Sequence, residues 1–105
     1  METVRPVALG LHQEGKTSLP TDQSSTSLGV NIGDIPLDEP MLMILSNETA
    51  TGLRVGFPAT ANSPVLAANA ERQMIVTAGL VKNASGRSTV GSGVAVSWSL
   101  LRVAR

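Results

Sequence analysis

A chain of 105 residues with 42% hydrophobic content is the size of one domain with a core of its own. Aromatics are only 2%, Phe57 and Trp98, so that core must be built from Val, Leu, Ile, Met and Ala. The lack of cysteine excludes a disulfide framework and a thiolate metal site, a net charge of zero argues against a nucleic-acid binder, and no stretch approaches the ~20 apolar residues of a membrane span.

The charge is divided between the halves. Residues 1–50 carry seven acidic and two basic side chains, net −5, and residues 51–105 carry six basic and one acidic, net +5. Packing of the halves against each other would cancel the fields. The sharper reading is head-to-tail complementarity between subunits, or an acidic arm laid on a basic neighbour. The basic residues are scattered singly with no aromatic platform beside them, which further disfavours nucleic acid.

In chain order, Met1–Gly10 lacks the basic start and long apolar run of a signal peptide, so the expectation is a cytoplasmic product. Val4, Val7 and Leu9 suggest a short strand with Pro6 at its edge or start. Residues 11–27 are rich in Gly, Pro, Ser and Thr and read as loop, so 1–27 is expected as an extended N-terminal arm ahead of a β core at 28–105. Leu28, Val30 and Ile32 alternate with Gly29 and Asn31 as in a strand with one apolar face, and Gly33, Pro36 and Pro40 mark a connection. Met41–Leu45 is apolar on both faces and reads as a fully buried strand. Ser46–Gly52 is a loop, after which Leu53, Val55 and Phe57 alternate; the two runs are expected to form a hairpin.

Residues 58–70 are small and irregular. Arg72–Lys82 has a β-branched centre that favours a strand, and Asn83–Gly86 reads as a turn. Ser88–Val103 is the last strand, with Gly91 and Gly93 as bend points. Val94, Val96, Trp98 and Leu100 alternate there with Ala95, Ser97 and Ser99, a period of two that puts one face on a core. The expected fold is all-β: a small antiparallel β-sandwich or jelly-roll-like barrel of about six or seven strands with an N-terminal arm.

One motif points to chemistry. Gly10-Leu11-His12-Gln13-Glu14-Gly15-Lys16-Thr17 fits the phosphate-binding P-loop pattern. That site needs a helix starting at Lys16, yet Pro20 and Ser24–Ser27 oppose one, and Met41–Leu45 ends in Ser46-Asn47 where a magnesium-holding Asp belongs. His12 is the only histidine and would act as a base only beside carboxylates brought to it by folding; no Gly-x-Ser-x-Gly elbow surrounds any serine. Asp34, Asp38 and Glu39 do not match the calcium-loop spacing. Asn47-Glu48-Thr49 and Asn83-Ala84-Ser85 fit the glycosylation sequon but read as turns. Met41 and Met43 read as core filling rather than a soft binding surface, and Trp98 as a core anchor rather than an interface residue.

Residues 41–76 have a further character: Leu42-Met43-Ile44-Leu45-Ser46-Asn47-Glu48-Thr49-Ala50-Thr51-Gly52-Leu53-Arg54-Val55-Gly56-Phe57, then an Ala/Pro/Asn loop, then Met74-Ile75-Val76. This cadence resembles small virion proteins of tailed bacteriophages, of the capsid decoration or cement type. The resemblance implies a β-sandwich or jelly-roll core, an extended arm, and a non-enzymatic structural protein that stabilises a phage head by binding between capsid subunits. It implies the major capsid protein or copies of itself as partners, a homo-oligomer with a trimer favoured, and a place on the capsid exterior after synthesis in the host cytoplasm. Residues 1–27 and the edge strands are expected to carry the contacts, with Arg5, Lys16, Arg54, Arg87 and Arg102 as candidate interface residues. No catalytic residue, cofactor, metal, membrane, nucleic acid or small-molecule substrate is expected. The alternatives are a P-loop-like nucleotide-binding protein using Gly10–Thr17, and a free-standing ligand-binding β module.

Overall fold

The alternation at the end of the chain becomes the spine of the fold. In the computed structural model, which describes residues 7–89 and 94–104, eight strands and one helical turn follow in order. The strands are β1 (Val7–Leu19), β2 (Thr26–Ser27), β3 (Pro40–Asn47), β4 (Leu53–Gly56), β5 (Val65–Leu66), β6 (Glu71–Thr77), β7 (Ser85–Ser88) and β8 (Val94–Ala104); the helical turn α1 (Ala78–Val81) follows β6. They build two antiparallel four-stranded sheets: a long one in the order β1-β8-β3-β6 and a short one in the order β2-β7-β4-β5.

The pairing is nested. β1 pairs with β8, β2 with β7, β3 with β6 and β4 with β5, so the chain runs out through four strands and returns along itself through four more. The pairs β3·β8 and β4·β7 then roll this double ribbon into two layers.

Period-two side chains set the core between the layers. Met41, Met43 and Leu45 of β3 and Val96 and Leu100 of β8 are completely buried, with Val94 and Trp98 nearly so. Leu53, Val55 and Leu66 meet them from the short sheet, and Leu19, Ala78, Val81 and Ala84 close the ends. Burying each large apolar side chain contributes about 1.5–3 kcal/mol, which lets an aliphatic core suffice here.

Several expectations need correction. Residues 11–19, expected in the arm, belong to β1, the longest strand, paired with β8 from Val7↔Ala104 to Leu19↔Val94. A ladder is a backbone property, so a polar run can fill it wherever a neighbour offers an edge. Gly15 also has a packing role: a Cβ there would sit 2.8 Å from Cζ2 of Trp98, which lies across it.

Leu28–Ile32 keeps its alternation, with Leu28 and Ile32 buried, but is no strand. Side chains of β1 hold it instead: Thr17 Oγ1 donates to Leu28 O, and Asn31 N donates to Gln13 Oε1. β3 is buried on one face only, since Leu42 and Ile44 are half-exposed. The expected hairpin of 41–45 with 53–57 does not form, because β3 and β4 lie in different sheets.

The expected strand through Lys82 ends at Thr77. There Ala78 N donates to Glu39 O and Gly79 N to Leu37 O, and α1 carries the chain across to the short sheet. Ser85–Ser88 is a strand of its own rather than a turn and the start of the last strand. Gly91 and Gly93 lie outside the described residues.

Candidate functional site

The outward face of the long sheet carries a continuous apolar row. Leu11 lies opposite Leu101, Leu101 opposite Leu42, and Leu42 opposite Ile75, so four strands each contribute one residue. Cross-strand partners share a face, which makes these side chains neighbours. The row ends stay open, Leu11 at 54% and Ile75 at 48% exposure. Ile44 extends the row on one side; beyond it the face turns polar through Lys16, Ser97, Ser46 and Glu71. This band is the candidate interaction surface of the long sheet.

β6 is an edge of the same sheet. Asn47 N donates to Ala70 O, and Ala78 N to Glu39 O, at its two ends. With the ladder's period of two, the backbone groups of Glu71, Gln73, Ile75 and Thr77 therefore point away from β3, toward the open edge.

The outward face of the short sheet is basic. Arg54 of β4 lies directly opposite Arg87 of β7 and directly opposite Val65 of β5. Arg54 Nη1 donates to Ser63 O, and Arg72 Nη2 donates to Val65 O at 2.9 Å, so two guanidiniums are tied to carbonyls of one short segment.

A cleft of about 270 Å³ opens at the end where Arg102 lies, lined by His12, Ile32, Asp34, Pro36 and Arg102 among others. Two of its polar groups are engaged elsewhere, Arg102 with Glu39 and His12 with the backbone. Arg102 donates from Nε and Nη2 to both carboxylate oxygens of Glu39 at 3.1 and 2.9 Å, and His12 Nε2 donates to Asn31 O at 2.9 Å. This is a clasp between β8 and the entry to β3, contributing about 1 kcal/mol or less at such exposure.

The sequence candidates thus separate. Arg54 and Arg87 come together. Arg102 is spent on Glu39. Lys16 sits on the long sheet's outward face, 3.9 Å from Glu48, with both side chains more than half exposed, where an ion pair contributes little. Arg5 lies outside the described residues. The Gly10–Thr17 motif is strand throughout: Lys16 opposes Ser97 and Thr17 opposes Val96, so the helix N-terminus that would face phosphates is replaced by a ladder. Among the described residues no group of three or more His, Asp or Glu side chains is placed to hold a metal ion.

Leu11, Leu42, Ile75 and Leu101 were missed as surface residues, as was Arg72. The available signal was the two-sided apolar run of β3, which reads equally as burial by neighbours or as an unpartnered face. Asn47 was also underrated. It is fully buried; its Nδ2 donates to Thr51 O, Leu66 O and Ala67 O, and its Oδ1 accepts from the Thr49 N–H and hydroxyl. It ties the long sheet to the loops that hold the short one. No protein-family model, curated protein or solved structure matches the chain significantly.

Proposed function

We propose that this protein is a non-enzymatic assembly subunit of the capsid decoration or cement type, binding other protein subunits through its sheet surfaces. The observation that carries the reading is the apolar row Leu11–Leu101–Leu42–Ile75 across the outward face of the long sheet, flanked by an open strand edge at β6. Such a face gains by being covered, and such an edge pairs readily with a strand of a neighbour. The nested pairing of β1–β8, β2–β7, β3–β6 and β4–β5 supports reading the two layers as a small jelly-roll sandwich, an architecture found in viral capsid domains. Partners are copies of itself and the major capsid protein, at the capsid exterior.

The test combines light scattering of the full chain with co-sedimentation on phage heads. The chain is expected to form a discrete homo-oligomer, with a trimer favoured, and to pellet with heads. Leu11→Lys and Ile75→Lys sit at exposed positions and should keep the circular dichroism of the parent while losing head binding. A chain that leaves heads untouched, or row variants that bind as well as the parent, would overturn the reading.

A further inference from the structure

Two arginines directly opposite on neighbouring strands repel one another, and a fold keeps such a pair at a cost. Arg54 and Arg87 are such a pair, both half-buried on the short sheet, and among the described residues neither lies within ion-pair reach of a carboxylate. Arg72, also half-buried and also without a carboxylate among the described residues, hangs on the Val65 carbonyl, two residues from the Ser63 carbonyl that holds Arg54. Val65, 44% exposed, lies in the same cross-strand row as the pair. The patch is therefore cationic with an apolar centre, and the guanidiniums of Arg54 and Arg72 are pre-positioned by backbone acceptors. Guanidinium forks take carboxylates in two parallel hydrogen bonds, which would relieve the repulsion.

The complementary surface lies at the other end of the same chain. The register places Pro40 beside Thr77 at one end of the long sheet and Ser46 beside Glu71 at the other. Arg72 follows Glu71 at the second end. Residues 34–39 lead into Pro40 at the first. There Asp34 and Asp38 are exposed and outside any ion pair among the described residues, while Glu39 is held by Arg102. Between them Leu37 is 56% exposed, and its carbonyl accepts from Gly79 N at 2.8 Å, which sets Leu80, itself exposed, next to this segment. This end is an acidic knob with an apolar tip.

From this we infer that the Arg54–Arg87 row, with Arg72 and Val65, receives the Asp34–Asp38 segment of a second copy of the chain. The inference rests on the assembly reading above and supplies its self-contact. The contact is heterologous, one end of a subunit on the far end of the next, so it builds a ring if the rotation closes and a filament if it does not. The apolar row of the long sheet stays free for a different partner. The divided charge of the sequence then has a use: fields of opposite sign at the two surfaces steer copies into register. A nucleic-acid strand fits less well, since the patch centres on an apolar residue and the chain is neutral overall.

Two charge-reversed full-length proteins test this by light scattering, with circular dichroism as the folding control. One carries Arg54→Glu and Arg87→Glu; the other carries Asp34→Lys and Asp38→Lys on an exposed loop whose reversal leaves the core untouched. Each alone should associate roughly tenfold or more weakly than the parent. Mixed in equal amounts they should co-assemble in alternation, because the unchanged row of one fits the unchanged segment of the other and the two reversed surfaces, one acidic and one basic, also attract. A chain carrying all four reversals should assemble again, and association of the parent should weaken as salt rises from about 0.05 to about 0.5 M. Unchanged masses for either variant, or variants that stay monomeric on mixing, would overturn the inference. A parent that is monomeric yet pellets with heads would overturn it while leaving the decoration role standing; charge-dependent oligomers that ignore heads would do the reverse.

Discussion

The two sheets are held together by different means. The strands of the long sheet have 13, 11, 8 and 7 residues, and continuous ladders with an aliphatic face do the work. The strands of the short sheet have 2, 4, 4 and 2 residues, too few for a ladder alone. Side-chain hydrogen bonds complete it. Ser85 Oγ accepts from Ala59 N and pairs with Ser25 Oγ, Ser88 Oγ donates to Pro20 O, and Thr89 Oγ1 donates to Gly52 O. Repetition stabilises one layer; a set of individual polar contacts stabilises the other, and those contacts shape the loops around the arginine row. One core thus carries a layer built by ladders on one side and a layer built by individual contacts on the other.

The largest effect that would sharpen this contrast belongs to the long sheet. Met43→Ala, at a position with no exposure, should cost about 2–5 kcal/mol, read as a lowered denaturant midpoint. Asn47→Ala should cost about 2–3 kcal/mol, because it orphans buried carbonyls of the 51 and 66–67 segments, and amide exchange there should accelerate before that of β3 and β8. Exchange that rises equally in both sheets would break the comparison.

Gly15→Ala should destabilise by about 1–3 kcal/mol, since the new methyl meets the Trp98 ring and displaces it, and the indole fluorescence should shift with it. Ser85→Ala should cost about 1–2 kcal/mol and loosen the short sheet alone.

The smallest effect is in the loop before β2. Asp22 accepts from the Ser24 hydroxyl at 2.6 Å and from the Ser24 N–H at 2.9 Å, chiefly the former holding its carboxyl below the ordinary carboxylate value. A carboxyl lowered in the folded state favours that state above its ordinary range, and the benefit fades as pH falls through the lowered value. NMR titration should place the Asp22 midpoint below that of an unperturbed aspartate, and Ser24→Ala should move it back up.

Much of the core was legible. Val94, Val96, Trp98 and Leu100 announced their inward face, as did Leu53 and Val55, because alternation is a direct print of the pleat; Met41–Leu45, apolar at every position, read as buried on both faces and did not show which one turns inward. Leu28 and Ile32 were legible as inward residues, although not as a segment held by β1 side chains. Of the candidate site, the charge division and Arg54 with Arg87 were legible; their direct opposition was not, since residues 33 positions apart become neighbours only through the β4–β7 register. β1 was the main loss. Its Gly, Lys and Ser residues carry little strand preference, and what makes them a strand is the edge that β8 offers.

Composition and alternation alone determined that this chain is a β protein with an aliphatic core, no thiol chemistry and its charge split along its length, because those properties are local to each residue and its near neighbours. Tertiary structure decided which strands pair, that a polar leader completes the long sheet, and that one apolar row and one arginine row face outward on opposite layers. Ladder hydrogen bonds join backbones whatever side chains they carry, so register, and with it every surface built across strands, is settled only when the double ribbon rolls up.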